Sequence, residues 1–388
     1  MPKIVFLWTD IALWTMLLCL VAYAVVVALR PNLRANWRKV FRDAPALASS
    51  VILFVCLLVT MVDSLHFRSA LPPAAGSKPG EVAYDSRTRS VLDVVLATLV
   101  AAREATYSMP LAYASFTRES QVVDGKVVRV APRLLHGGAN LTDPATQWAG
   151  DVTARAAAGA AAGLLVAVLA GALLAWAVAR QNGAAWRTTA VQIWRGHTPV
   201  PWRAAVWTVA GLGLFIGPMV ALMGHYHVFG TDITGNDVLY QTIKSIRTAF
   251  VIGSLATVAT LPLAVVLGIM AGYLRGWVDE VIQYVYTVLS SVPNVLLISA
   301  CVLMVQVFID KHPDLFATGA ERADLKLFLL CTVLGLTGWA GLCRLLRGET
   351  LKLRELDYVQ AANAFGVSPA RIMVRHIFPN VAHLMLIV

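Results

Sequence analysis

The sequence predicts an all-α polytopic membrane protein, and three observations carry that prediction. Hydrophobic residues make up 58% of the 388 and charged residues only 14%, with a mean hydropathy of +0.68. A soluble domain carries about 25% charged residues. Apolar runs of about 20 residues recur, the length a helix needs to cross a hydrocarbon core of about 30 Å, and runs this long point to helices rather than a barrel. The formal charge of +10 is gathered in clusters between those runs. That is the pattern of cytoplasmic loops in a multi-pass protein rather than of a nucleic-acid-binding face.

The first expected span is Val5–Leu29. It lacks the basic start and small-residue cleavage site of a signal peptide, and its apolar core is too long for one. Asp10, near its beginning, is expected to reach the membrane interface rather than act within the span. Arg30, Arg34, Arg38, Lys39 and Arg42 separate it from a second span, Pro45–Val62. A hydrophilic stretch of mixed charge, residues 63–155, follows and opens with Pro72-Pro73-Ala74-Ala75-Gly76. Within it, Val91–Ala102 has helical apolar spacing, and the residues around Asp124-Gly125 have the signature of a hairpin. It reads as a small extramembrane subdomain.

Span three, Ala156–Ala179, is rich in Ala and Gly, with Gly159 and Gly163 spaced for close helix approach. Arg180, Arg187, Arg195 and Arg203 follow with no acid among them, then span four at Ala204–Gly224, whose Gly211, Gly213 and Gly217 read as a packing surface. Span five, Ala249–Tyr273, holds Pro262 and a second small-residue pair, Gly268 and Gly272. Span six, Val281–Phe308, carries Pro293-Asn294 at its middle, where a proline kinks the helix and frees a carbonyl. Pro293 and Asn294 are a candidate pathway kink. A short loop, residues 309–326, leads to span seven, Leu327–Cys343, and Val381–Val388 begins an eighth. The basic clusters all fall on one side of this alternation, which assigns them to the cytoplasm and the N-terminus and the 63–155 stretch to the outside. All five cysteines lie in or beside apolar runs, so buried free thiols are expected rather than a disulfide framework.

No catalytic constellation is present: no Gly-x-x-x-x-Gly-Lys-Ser/Thr phosphate loop, no His-Glu-x-x-His, no Gly-x-Ser-x-Gly. His225, His227, Asp232 and Asp237 lack a further ligand at useful spacing, so no metal site is expected. The chain reads as a transporter without its own energy source. One reading is a gradient-driven secondary transporter or channel, which calls for intramembrane ionisable pairs or inverted repeats, and neither is visible. The other is a subunit driven by a partner.

A polar, Ala-rich stretch before the eighth span bears on that choice. Residues 357–371 and 376–380 read as two short helices around an elbow, with Gly366 in the left-handed position past a helix end, Ser368 as the next cap and Pro369 at the first helical position. Gln360-Ala361-Ala362, Gly366, His376 and Phe378-Pro379 resemble the coupling loop of binding-protein-dependent ABC importer permeases. Gln stands in place of Glu, His in place of Ile and Phe in place of Leu. The form Asp357-Tyr358-Val359 through Arg371, Arg375, His376, Pro379 and Asn380 resembles the dipeptide, oligopeptide and nickel branch. Gly230-Thr231-Asp232, Gly235 and Asp237-Val238-Leu239 resemble the segment preceding the transport core of that branch's second permease subunit, with Asn236 where Arg is usual. Locally, Asp237 is placed to cap the helix entering span five.

The resemblance implies a MetI-like ABC permease core over residues 227–388, preceded by an N-terminal transmembrane pair (1–62), a periplasmic subdomain (63–155) and an additional transmembrane pair (156–226). It implies multi-pass residence in the bacterial inner membrane, transport of peptides or nickel, and no cofactor on the chain itself, ATP being used by partner subunits. The implied partners are two ABC ATPase subunits, a second permease subunit and a periplasmic solute-binding protein, with the lipid membrane around them and no nucleic acid. Tyr358, Gln360, Ala361, Ala362, Phe365, Gly366, Ser368, Arg371, Arg375, His376 and Pro379 would form the ATPase-coupling loop, with Gly230, Thr231, Asp232, Gly235 and Asp237 as the family's periplasmic motif. The family ordinarily continues with two full spans after this loop and this sequence ends within the first, so the resemblance implies a chain truncated at its C-terminus.

Overall fold

The computed structural model describes residues 2–71, 83–123, 126–316 and 318–386. The Pro72–Gly76 run and the Asp124-Gly125 turn lie outside the described residues. The helices, in chain order, are α1 (Trp8–Leu29), α2 (Pro31–Val40), α3 (Ala44–Asp63), α4 (Val91–Val95), α5 (Ala97–Ala101), α6 (Pro144–Asn182), α7 (Trp186–Arg195), α8 (Trp202–Leu222), α9 (Val238–Leu274), α10 (Trp277–Ser291), α11 (Asn294–Lys311), α12 (Gly319–Arg354), α13 (Asp357–Ala364), α14 (Pro369–Ile372) and α15 (Phe378–Val381). Among the described residues six helices are long and apolar enough to cross a membrane, or there are seven spans if the bent pair α10–α11 counts as one. The all-α polytopic class therefore stands. Short strands β1 (Lys3–Val5), β2 (His66–Arg68), β3 (Arg89–Ser90), β4 (Glu119–Val123) and β5 (Lys126–Val130) accompany them, and β4 and β5 form the expected antiparallel hairpin, with Val123 opposite Lys126.

Two compact units emerge, one of Met1–Thr15, Arg68–Thr88 and Ala249–Val388, the other of Met16–Phe67 and Arg89–Thr248. In the second, α6 and α8 pack glycine against glycine. A Cβ on Gly163 would run into the backbone of Gly213, and one on Gly159 into that of Gly217. The small residues thus let two backbones touch, which is the basis of association where lipid is as apolar as the side chains. Gly163→Leu is expected to cost about 1–3 kcal/mol or more by overpacking. Gly171→Ala, whose new methyl would meet Val206 at an ordinary 3.6 Å, is expected to cost little. Thermal unfolding of the detergent-solubilised chain distinguishes the two.

The polar part of the same unit is tied to its helices by a half-buried ion cluster. Lys244 Nζ lies 2.7 Å from Asp93 Oδ1 and 3.3 Å from Asp63 Oδ1, at the end of α3. The Ser90 hydroxyl donates to Asp63 at 2.6 Å, and Tyr240 donates to Asp93 at 2.8 Å. Ser90 and Asp93 also form a reciprocal capping box that starts α4.

In the first unit, α9 grips α12 at three levels. Gly335 faces Ala259, Gly268 faces Cys343 and Leu346, and Gly272 faces Thr350. Arg347 of α12 donates both arms of its guanidinium to Asp279 of α10, at 2.6 and 2.7 Å. This bidentate pair is the strong form of an ion pair.

Several expectations are corrected. Span three begins at Pro144 rather than Ala156, because Asp143 caps it and its polar first turns are held by Trp148 Nε1 donating to Leu111 O at 2.8 Å and Tyr226 donating to Asp151 at 2.8 Å. Helicity is set by hydrogen bonding and packing, not by the edge of the apolar run. For the same reason α9 begins at Val238, α12 extends from Gly319 to Arg354 instead of stopping at Cys343, and the loop expected at 309–326 is largely helical. The basic connections after α1 and α6 contain α2 and α7, short helices carrying adjacent Trp-Arg pairs (Trp37-Arg38, Trp186-Arg187 and Trp194-Arg195). Span six is not merely kinked: α10 and α11 meet at 82° around Val292-Pro293. Asp10 is buried (1% exposed), and Thr9 beside it is anchored on the buried Asp324 of α12 by its amide, at 3.1 Å, and its hydroxyl. Of the cysteines, Cys331 and Cys343 are buried, Cys56 and Cys301 half-buried and Cys19 exposed on the outward face of α1.

Candidate functional site

The elbow is built on a buried floor. Val359 of α13, Ile372 of α14, and Ile377 and Val381 beyond it are all at or below 1% exposure, and they join Tyr273 and Leu346 in one core. These residues recur at the spacing that fixes one face of each short helix inward, which leaves the other face outside. Phe365 is 87% exposed, Tyr358 43%, and Gln360, Ala361, Arg371 and Arg375 are exposed. Ala362 is the small residue turned toward the floor.

The turn between the helices is a complete Schellman motif. Val367 N donates to Ala362 O at 3.1 Å, Gly366 N to Asn363 O at 3.0 Å, and Gly366 has φ +73°. Space does not require glycine here, since a Cβ at Gly366 would meet nothing within 4 Å. The left-handed backbone does. Ser368 occupies the cap position with Pro369 at the first helical position, as expected, but its hydroxyl makes no cap bond. Ser368 is exposed, which leaves the start of α14 facing solvent.

After α14 the chain widens into a π turn over Met373–Ile377, with Phe378 N bonded to Met373 O. Pro379 follows directly. A proline has no N–H and crowds the carbonyl four residues back; the widened turn removes that conflict. Asn380 Nδ2 donates to His376 O at 2.6 Å and to Tyr358 OH at 3.1 Å, so the two helices are cross-linked, and the Tyr358 and His376 rings lie 6.3 Å apart. A polar cavity of about 550 Å³ opens beside α13, lined by Arg275, Arg354, Glu355, Gln360 and Asn363 among others. Arg275 pairs with Glu355 at 2.7 Å, and Arg354 donates to Tyr273 O at 3.0 Å. Arg371 and Arg375 carry no ion pair among the described residues. The result is a rigid two-helix knuckle with an exposed aromatic tip and two exposed cations.

The second predicted group, Gly230 to Asp237, lies in the other unit. Thr231 is buried and donates to Thr106 O at 2.8 Å. Asp232 folds the turn, accepting from Thr234 N at 2.8 Å, Asn236 N at 2.9 Å and Gln241 Nε2 at 2.6 Å. Burial would raise its carboxyl pKa, but the bonds from Thr234, Asn236 and Gln241 prevail and hold it well below the usual range. Gly235, at φ +76°, lies so close to Glu104 O that a Cβ would collide with it. Asp237 caps α9, accepting from Tyr240 N at 3.2 Å.

Sequence reasoning missed Glu104. Its carboxylate accepts from the amides of Leu135, His136 and Gly137 at 2.9, 2.7 and 3.2 Å and lies 3.3 Å from His227 Nε2, whose Nδ1 lies 2.7 Å from Asp237. All three side chains are at most 3% exposed. Nothing local marks Glu104, which stands among ordinary loop residues more than a hundred positions from its partner. The remaining predicted residues, Pro293 and Asn294, sit at the α10–α11 break. There a cavity of about 310 Å³ is lined by Ser290, Pro293, Thr337 and Arg344, and Arg344 donates to Ser290 at 2.7 Å. The break and the knuckle are in the same unit.

With this geometry in place, comparison with known proteins is specific. Residues 264–387 match the family described as binding-protein-dependent transport system inner membrane component. The chain is 31% identical over 164 residues to the oligopeptide transport system permease protein OppC of Mycobacterium tuberculosis, covering 42% of this chain and 51% of that protein. It is 30% identical over 156 residues to the dipeptide transport system permease protein DppC of Lactococcus lactis, covering 40% of each. It is 32% identical over 160 residues to the peptidoglycan transport system permease protein YejE of Agrobacterium fabrum, covering 41% of this chain and 37% of that one. The chain thus spans about half the length, or less, of the curated relatives it matches. The break, the α9–α12 grip from Gly268 onward and the whole knuckle fall inside residues 264–387, the part of this polytopic chain that is similar to the inner-membrane component of binding-protein-dependent transport systems.

Proposed function

We propose that the chain is a permease subunit of a binding-protein-dependent ABC importer, moving peptides or a related small solute across the bacterial inner membrane. The names of its relatives, oligopeptide and dipeptide permeases, support the solute class. The observation that carries the reading is the knuckle: a floor-anchored pair of helices with Phe365 exposed at its tip, inside the matched domain. In this reading ATP is hydrolysed by partner ATPase subunits, the chain has no nucleotide site of its own, and α13 seats in a cleft of the partner. Closure of the ATPases pushes the knuckle, whose rigid junction with α12 passes the movement to the spans. A second permease subunit completes the pathway, and a periplasmic binding protein delivers the solute. Residues 156–226 are an addition to the core.

Phe365→Ala tests this directly. The ring is exposed, so its removal is expected to leave folding and membrane insertion unchanged. An aromatic anchor at an interface centre contributes 2 kcal/mol or more, roughly a thirtyfold loss of affinity. Co-purification of the partner ATPase and solute uptake are both expected to fall accordingly. Undiminished uptake and co-purification in the variant would overturn the coupling assignment.

A further inference from the structure

Helices α6, α7 and α8 surround an apolar cavity of about 380 Å³, whose walls include Gly171, Ala175, Trp186, Ala190, Ile193 and Trp207. It exists because this face of α6 is built from Gly and Ala, while α7 props the space open with Trp186 and with Trp194, whose ring lies 5.8 Å from that of Trp207. The volume falls in the range of small-ligand sites, about 300–1,000 Å³, and an apolar cavity does not hold water well. Two of its three walls, α6 and α8, are long and apolar enough to cross a membrane, so the space borders acyl chains.

The helix ends beside it, where Arg187 and Arg195 neighbour the lining Trp186 and Trp194, are the opposite in character. Arg180 ends α6, Arg187 begins α7, Arg195 ends it and Arg203 begins α8, and the sequence from 180 to 203 contains no Asp or Glu. All four arginines are exposed, and none has an ion pair among the described residues. Arg180 lies 5.5 Å from the Trp176 ring centroid and Arg187 5.6 Å from that of Trp186. Stacking on the rings holds these guanidiniums at the level where Trp marks the membrane–water boundary. A planar guanidinium without a protein counter-ion is suited to a phosphate.

We propose that this cavity and the helix ends beside it are a binding site for an anionic glycerophospholipid of the arginine-rich leaflet, one acyl chain filling the cavity and the headgroup phosphate held by Arg180 and Arg187. Charge complementarity selects this occupant over a zwitterionic lipid or a partner helix. Fixing a lipid there would brace α7 across the ends of α6 and α8.

The test is retention of phosphatidylglycerol against phosphatidylcholine by the purified chain, measured by native mass spectrometry. The wild-type protein is expected to retain phosphatidylglycerol at least tenfold more tightly. Because one basic residue near a lipid surface is worth about a fivefold change, Arg180→Gln and Arg187→Gln are each expected to reduce that preference about fivefold. Arg38→Gln, in the separate basic helix α2, is expected to leave it unchanged. Ala190→Phe, which fills the cavity, is expected to weaken retention of both lipids; should it disturb folding, the two arginine variants carry the test. Equal retention of the two lipids, or the same response to Arg38→Gln as to Arg187→Gln, would overturn the site in favour of general surface attraction.

Discussion

Replacing His227 by alanine is expected to destabilise the polar subdomain by about 3–5 kcal/mol, the cost of breaking a buried pair by removing one partner. Without the imidazole, the Glu104 and Asp237 carboxylates remain buried with no cation between them. The effect has a pH signature. Burial by itself would lower the His227 pKa, but hydrogen bonding and charge from Asp237, and then from Glu104, prevail and raise it above 6.5. A raised folded-state value means that the stabilisation is complete below the ordinary pKa and is lost as pH climbs through the raised one. For Glu104, burial would raise the pKa, yet the amides of His136, Leu135 and Gly137, with His227, hold it below 4.5. Its contribution is present above 4.5 and is lost as pH falls through the lowered value. The gap in melting temperature between wild-type and His227→Ala proteins is therefore expected to be widest at about pH 4.5–6.5 and to narrow on the alkaline side. Limited proteolysis between residues 83 and 143 should track it. A variant that melts with the wild type across this range would show that the cluster is not ionised as described.

The second large effect is expected at Gly366. Proline fixes φ near −65° and has no N–H, whereas Gly366 sits at +73° and donates to Asn363 O. Gly366→Pro therefore breaks both the sign of the turn and one bond of the Schellman pair, and it re-aims α13. The surroundings of Gly366 are open and the floor under Val359 and Ile372 is elsewhere, so insertion and overall folding are expected to persist while ATPase co-purification and uptake are lost. Asparagine tolerates the left-handed region, so Gly366→Asn should keep most of both. Normal uptake in the proline variant would mean that the knuckle's shape does not transmit force.

Much of this was legible in the chain because the signals are local. Gly366 at the end of an Ala-rich helix, Pro369 one residue into the next and Asp237 ahead of Val238 act through neighbours a few positions away, and all three sit where their chemistry predicts. The glycine spacings of 159–163, 213–217 and 268–272 announced close helix contacts, although not which helix each would meet. The helix ends were misjudged wherever polarity and helicity part company. At 144–155 and 344–354, polar residues continue a helix because tertiary partners such as Leu111 O and Asp279 hold them.

What the sequence by itself determined is the polytopic α-helical class and the elbow before the last apolar run, since hydropathy and turn chemistry are properties of short windows. Only the tertiary structure decided that Glu104 joins His227 and Asp237, that α10 and α11 break at 82°, and that α7 leaves an apolar cavity against α6 and α8. Each of these depends on which distant segments exclude water from one another, and that is settled by packing across the fold rather than by any run of neighbouring residues.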